Sequence, residues 1–374
     1  MADNLVERME TGNVGDNAAN GLVTPDLGEE SGKCLPISIQ SLYKIFGSTP
    51  EQMLPLVQEG IDKETLRTEH EHILGLDNVN LEIPEGKITV VMGLSGSGKS
   101  TLIRHINRLI DPTSGSIRIG ETDVMSLTDK ELLAFRRNQT AMVFQKFALF
   151  PHLSVAENVE YALMVRGFSR SQREQATEFW LARVGLEGYG ESYPNQLSGG
   201  MQQRVGLARA LANDTPIMLM DEAFSALDPL IRNDMQGMLL DIQQDTNKTI
   251  VFISHDLDES LRLGDKIAIL RDGRVEQQGS AQDIVLKPAN DHIAEFVRVV
   301  NRGKVIQCKS LMHPATQKLP LEVNPTMVLE EAIKLLNEHK AQSASVVNKS
   351  GRLLGEVRLN DLLEVIVQSA TGGE

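Results

Sequence analysis

Gly93-Leu94-Ser95-Gly96-Ser97-Gly98-Lys99-Ser100 follows the apolar run Ile88-Thr89-Val90-Val91-Met92 and precedes the helical stretch Thr101 to Ile110. It fits G-x-x-x-x-G-K-[ST], and strand, loop and helix in that order are the context in which the pattern cradles phosphate. Glycines let the backbone curl until several N–H groups face one anion. The helix N-terminus adds partial positive charge. Lys99 is placed to neutralise β- and γ-phosphates, and Ser100 to offer a hydroxyl to Mg2+. Gly93, Ser95, Gly96, Ser97, Gly98 and Thr101 complete the set of candidate phosphate contacts.

The run before the loop has no polar face, which is how a buried parallel strand reads. Ile217 to Met220 and Ile250 to Ile253 read the same way, and strands alternate with helices to about residue 280. That alternation predicts an α/β domain with a mostly parallel sheet. Ligands bind at the carboxyl edge of such sheets, and there the run Ile217 to Met220 delivers Asp221 and Glu222. Asp221 is suited to hold Mg2+ through its water shell. Glu222 comes next, in position to polarise an attacking water. An acidic pair after an apolar run is also a common surface turn; the phosphate loop gives this one its meaning.

Farther out, Pro36 to Tyr43 alternates apolar and polar and predicts a strand. Residues 50–70 are a charged, helix-like insert. Val79 to Ile83 alternates again, and Pro84-Glu85-Gly86-Lys87 marks a turn. Residues 1–34, rich in Asn, Gly, Asp and Glu without periodicity, read as a disordered acidic tail.

A chain of 374 residues calls for two domains. Its two cysteines, Cys34 and Cys308, have no C-x-x-C partner, so neither a zinc site nor a disulfide framework is expected, and a reducing compartment fits. No apolar run reaches the length of about 18 residues that a spanning helix needs, and Met1-Ala2-Asp3-Asn4 does not open like a signal peptide. The net charge of −14, with four tyrosines and one tryptophan, argues against nucleic acid as a partner.

Leu197-Ser198-Gly199-Gly200-Met201-Gln202-Gln203-Arg204 resembles the LSGGQ signature of ABC ATPases, with Met201 where Gln is usual. The other motifs of that family follow in its order over roughly residues 35–285. The resemblance implies a P-loop NTPase fold of the ABC type over 35–298, with a RecA-like core, an antiparallel β subdomain and a helical subdomain. It implies ATP and Mg2+ as cofactors, and two copies of the chain closing head to tail on two ATP molecules. Ser198, Gly199 and Gly200 would then contact the γ-phosphate bound to the other copy. Phe46 resembles the aromatic that stacks on adenine, with Tyr43 a competitor. Gln145 resembles the glutamine that meets Mg2+ and senses the membrane partner. Ser225-Ala226-Leu227-Asp228 resembles the loop that crosses the dimer interface. His255 resembles the switch histidine that contacts the γ-phosphate and holds the attacking water. Glu222, His255 and Gln145 are thus the catalytic candidates, and Ser100, Gln145 and Asp221 the metal candidates.

Val143 to Val155 resembles the stretch that importer ATPases present to the membrane subunit. The insert Pro50 to His72 and the segment Asn107 to Pro112 resemble those of glycine betaine/proline-type importers. After a linker at Val299 to Gly303, residues 304–370 resemble a small α+β module of the cystathionine-β-synthase (CBS) type. It is read as regulatory or dimerising, with a turn and helix at Val323 to Ile333, a hairpin around Lys349-Ser350-Gly351 and a helix from Asn360. From residue 303 on, eight basic and eight acidic residues cancel, so no basic face for an anionic membrane is expected. The resemblance implies an ATP-hydrolysing importer subunit for a quaternary amine or related osmolyte: glycine betaine, proline betaine, choline, carnitine or trimethylamine N-oxide. It would sit on the cytoplasmic face of the inner membrane, held by two permease subunits and served by a substrate-binding protein. The competing readings are an amino-acid or other nutrient importer, a soluble ABC ATPase acting outside transport, and a purely regulatory nucleotide-binding module.

Overall fold

The computed structural model describes residues 34–348 and 350–367; the predicted tail up to residue 33, the hairpin apex Lys349 and the end of the C-terminal module lie outside the described residues. Strand β1 (Ile37–Phe46) leads into helices α1 (Pro50–Gln58) and α2 (Lys63–Thr68), then into β2 (Ile73–Ile83). Pro50 opens α1, where its missing N–H removes no bond. The Asp62 carboxylate caps α2 by accepting from Thr65 N–H at 2.9 Å. The insert buries Val57 and Leu66 against Tyr43, Ile45 and Leu74.

Strand β2 starts at Ile73, earlier than the alternation from Val79 predicts. Asn78 has φ 51°, and the register shifts opposite Ser41, which has φ 45°. The bulge moves the buried positions from Leu74 and Leu76 to Val79, Leu81 and Ile83, so the period of two breaks inside one continuous strand.

Strand β3 (Ile88–Met92) is followed by α3 (Lys99–Ile106), β4 (Ser114–Ile119), β5 (Thr122–Asp123), α4 (Asp129–Asn138) and β6 (Thr140–Val143). A helical layer of α5 (Val155–Val165), α6 (Arg170–Arg183) and α7 (Gly199–Ala212) comes next. Ser154, Ser169 and Ser198 each cap their helix with the side-chain oxygen. The chain continues through β7 (Ile217–Asp221), α8 (Pro229–Thr246), β8 (Thr249–Ser254), α9 (Leu257–Leu263), β9 (Lys266–Arg271) and β10 (Arg274–Gly279).

Two sheets result: an antiparallel one ordered β2-β1-β4-β5, and a six-stranded one ordered β10-β9-β3-β8-β7-β6. In the second, β9, β3, β8, β7 and β6 run parallel, and β10 adds an antiparallel edge. Every residue of β3, β7 and β8 is buried, which requires cover on both faces. Part of that cover is Phe224 against Phe252, both fully buried with ring centroids 5.4 Å apart.

Helices α10 (Ala281–Leu286), α11 (Asp291–Val297) and α12 (Arg302–Val305) lead to β11 (Glu322–Val323), α13 (Leu329–Glu338), β12 (Ser343–Val347), β13 (Leu353–Arg358) and α14 (Leu359–Val367). Strand β11 pairs parallel to β12, and β12 antiparallel to β13. Leu329, Ala332 and Leu336 share one face of α13 and are buried. Their cluster joins Val297, Val300, Ile306 and Cys308 and continues into the core under the large sheet.

Candidate functional site

Four neighbouring parallel strands end at one edge. Met92 of β3 lies opposite Ser254 of β8, Ile253 opposite Asp221 of β7, and Met220 opposite Val143 of β6. The chain therefore releases the phosphate loop, the Asp221-Glu222 pair, His255 and Gln145 side by side.

The loop's geometry depends on glycine at two close approaches. Gly93 has φ 151°, and a Cβ there would stand 2.1 Å from the Leu270 carbonyl oxygen. Gly98, the cap of α3, has φ 103°, and a Cβ would stand 2.7 Å from Gly75 O. Gly96 turns with φ 80°, Ser95 is exposed, and Thr101 lies in the first turn of α3. Ser97 Oγ is buried and has no hydrogen-bond partner, which suits an anion seated in the loop.

Lys99 is 5% exposed and donates to Gly93 O at 2.8 Å and Leu94 O at 3.0 Å, with Glu222 Oε1 at 3.8 Å. Burial pulls its ammonium below the usual lysine range, against the charges of Glu222 and Asp221. Ser100 Oγ donates to Asp221 Oδ1 at 2.8 Å. Gln145 Nε2 donates to Glu222 Oε2 at 3.1 Å and to Ser225 Oγ at 3.3 Å. His255, an exposed side chain, has Nδ1 3.7 Å from the same Glu222 oxygen. Glu222 itself has φ 48°, a left-handed conformation costing a non-glycine residue about 1–3 kcal/mol. Ser225 holds it there, donating to Glu222 O from its amide at 3.2 Å and its hydroxyl at 2.9 Å.

Lys99, Ser100, Gln145, Asp221, Glu222 and His255 thus form one cluster. The hydroxyl, carboxamide and carboxylate oxygens of Ser100, Gln145 and Asp221 are the hard donors that Mg2+ takes. Phe46 is 39% exposed, lies against Gly75 beside Gly98, and carries Lys44 Nζ 5.1 Å from its ring centroid. Tyr43 is buried in the core of the insert, leaving Phe46 as the aromatic open to a ligand. Ser198 caps α7 by accepting from Met201 N–H at 3.3 Å, with Gly199 and Gly200 behind it. Among the described residues no hydrogen bond or ion pair links these three to the Lys99 cluster.

Arg104 escaped the sequence reading, and so did the contact of Ser225 with Glu222. Arg104 Nη2 approaches Asp221 Oδ2 at 3.3 Å; its position one helical turn after Ser100 was the available signal. Ser225 showed only as part of the loop after the carboxylates.

Residues 76–225 match the ABC transporter family, and residues 315–368 the CBS domain. A glycine betaine/carnitine transport ATP-binding protein of Listeria monocytogenes is 45% identical over 90% of this chain and 84% of its own length. The chain belongs to the ABC transporter family. A glycine betaine/proline betaine transport ATP-binding protein of Escherichia coli is 43% identical over 89% of this chain and 83% of its own length. Within the ABC transporters, the chain is an ATP-binding subunit of the glycine betaine/proline betaine importer family, with ATP hydrolysis coupled to transport. The structure of an ABC cassette solved as a dimer, in a post-hydrolysis state with ADP and Pi, superposes with a TM-score of 0.56. It is 34% identical over 66% of this chain and 98% of that one. No helix among the described residues of this ABC subunit is long and apolar enough to cross a membrane.

Proposed function

We propose that this subunit drives uptake of a quaternary amine or related osmolyte, of the glycine betaine, proline betaine, choline, carnitine or trimethylamine N-oxide kind. The observation that carries the mechanism is the separation of two half-sites. The Lys99 cluster lies at one sheet edge, while Ser198 caps a helix that, among the described residues, makes no hydrogen bond or ion pair to it. Two copies placed head to tail bring the Ser198, Gly199, Gly200 helix end of one to the phosphates held by the other, where its N–H groups and dipole favour anionic charge.

In that arrangement Lys99 and the backbone of Gly93, Ser95, Gly96, Ser97, Gly98, Ser100 and Thr101 bind the phosphates, and Phe46 stacks on adenine. Glu222 accepts the proton of the attacking water. His255 and Gln145, both already against Glu222, hold that water in line. Ser100, Gln145 and Asp221 would hold Mg2+, which when bound would supply positive charge against the phosphates.

The closed pair pulls on two permease subunits at the inner membrane's cytoplasmic face, and a binding protein brings the substrate. Residues 35–298 are the nucleotide-binding unit and 304–370 a CBS module that regulates or dimerises. The substrate class rests on the two importer relatives and is tested by ATPase stimulation in the reconstituted transporter. Stimulation by a methylated amine supports it. Stimulation by amino acids alone replaces it with a nutrient importer of the same mechanism.

A further inference from the structure

The loop after Gln145 contains two successive non-glycine residues in the left-handed region, Phe147 at φ 57° and Ala148 at φ 48°. Neither residue type favours that conformation, so the surroundings must hold it. Arg209, on the turn of α7 facing this loop, donates from Nη1 to Ala148 O at 2.7 Å and from Nη2 to Phe147 O at 3.0 Å. Among the described residues it forms no ion pair. The side chain is half-buried, and both of these acceptors are neutral carbonyls of the strained turn.

The same turn touches the start of α7: the Phe147 ring tip lies 3.8 Å from where a Cβ on Gly199 would stand. Farther along, fully buried Asn158 of α5 receives Phe150 N–H at 2.8 Å and donates to the carbonyls of Phe150, Leu153 and Ser154. The loop is thereby bolted to the helical layer at two points, whereas the Gln145 side chain reaches the sheet's Glu222.

We propose that Arg209 is a positioning residue: by clamping the Phe147–Ala148 turn onto α7, it makes the Gln145 loop and the Ser198 end of that helix move as one body. The proposal rests on the reading of Gln145 given above. A shift of the helical layer that carries Ser198 toward a partner copy would then shift Gln145 on Glu222 in the same stroke.

The test compares ATP affinity and turnover in full-length wild type, R209A, R209K and the double variant R209A/A148G. The clamp predicts that R209A loses about tenfold in kcat, since a small misplacement of a catalytic group is that costly. KM for ATP should change by less than about twofold, because phosphate binding is untouched. R209K, a single ammonium where a planar fork bridged two carbonyls, should fall between the two. Glycine at position 148 takes positive φ without a Cβ penalty, so R209A/A148G should recover about half of the lost turnover. A purely structural arginine would give no such rescue. Wild-type turnover in R209A, or a double variant no faster than R209A, overturns the clamp. If R209A does not fold, R209K against R209K/A148G supplies the same comparison, and a double variant no faster than R209K overturns the clamp in the same way. K99A separates this from the site reading: if K99A still binds ATP, the nucleotide site itself is misplaced, whatever Arg209 does.

Discussion

At the residue scale, Glu222 is where strain, charge and geometry coincide. Its left-handed backbone is held by Ser225, and its two oxygens meet Lys99 on one side and Gln145 and His255 on the other. Replacing it with Gln keeps the shape and removes the proposed base. E222Q should bind ATP normally and lose turnover by ~10²–10⁴-fold, measured as equilibrium nucleotide binding beside phosphate release. Turnover near wild type would assign the base elsewhere. K99A should instead lose ATP binding, because Lys99 is the buried cation of the phosphate loop. A third residue carries a pH prediction. Glu259 of α9 is buried beneath the strand end that bears His255, accepting from Ser254 Oγ at 2.5 Å and Gln236 Nε2 at 3.1 Å. Burial raises its pKa above the usual glutamate range, and those two hydrogen bonds oppose the rise. The folded protein therefore keeps this proton to higher pH than the unfolded chain. The residue's contribution to stability is full below the ordinary glutamate value and is lost as pH rises through the raised one. The Tm difference, E259Q minus wild type, should grow more positive from about pH 4 toward neutrality. A difference that stays flat would mean Glu259 titrates normally.

At the scale of elements, the insert α1–α2 supports the strand end that presents Phe46. Leu66 is fully buried among Tyr43, Ile45 and Leu74, and His72 accepts from Thr49 N–H at 3.1 Å, closing the insert behind Gly47. L66A should cost about 2–5 kcal/mol of packing within this small cluster. The expected readout is faster proteolysis between residues 50 and 72 and a higher KM for ATP with kcat preserved, since adenine contact alone is loosened. Equal loss of kcat would place the insert in the chemistry. The same region shows what a sequence makes legible. The buried runs of β3, β7 and β8, with no polar face, could be read directly, and with them the strand ends that carry Lys99, Asp221, Glu222 and His255. Strand β2 could be read only from Val79, because the bulge at Asn78 changes which residues point inward without leaving a compositional trace. Arg104 and Arg209 were hidden for another reason. Each reaches a carboxylate or a carbonyl more than fifty residues away in sequence; the spacing of Arg104 from Ser100 hints at its partner, and nothing near Arg209 in the chain marks the carbonyls it meets.

At the scale of the whole molecule, the C-terminal module shares its core with the nucleotide-binding unit. Val297 and Val300 pack in one cluster with Ile306, Cys308, Leu329 and Leu336, and Cys308 N–H donates to Met327 O at 2.9 Å. Any motion of the module relative to the sheet has to open that cluster, which makes the cysteine within it a built-in reporter. Cys308 is fully buried, and burial pushes its thiol up to about 11. The thiolate is the reactive form, so both burial and suppressed ionisation protect Cys308 near neutral pH. Cys34, partly exposed, has no such cover. A thiol reagent added to the native subunit at neutral pH should therefore label one of the two cysteines promptly, and the second only as the molecule unfolds. If the module undocks during the ATP cycle, addition of ATP to E222Q, which holds the bound state, should change the rate at which Cys308 is labelled. A Cys308 rate that ignores nucleotide would mean that the module stays packed on the sheet throughout. Prompt labelling of Cys308 in the resting protein would contradict the shared core itself.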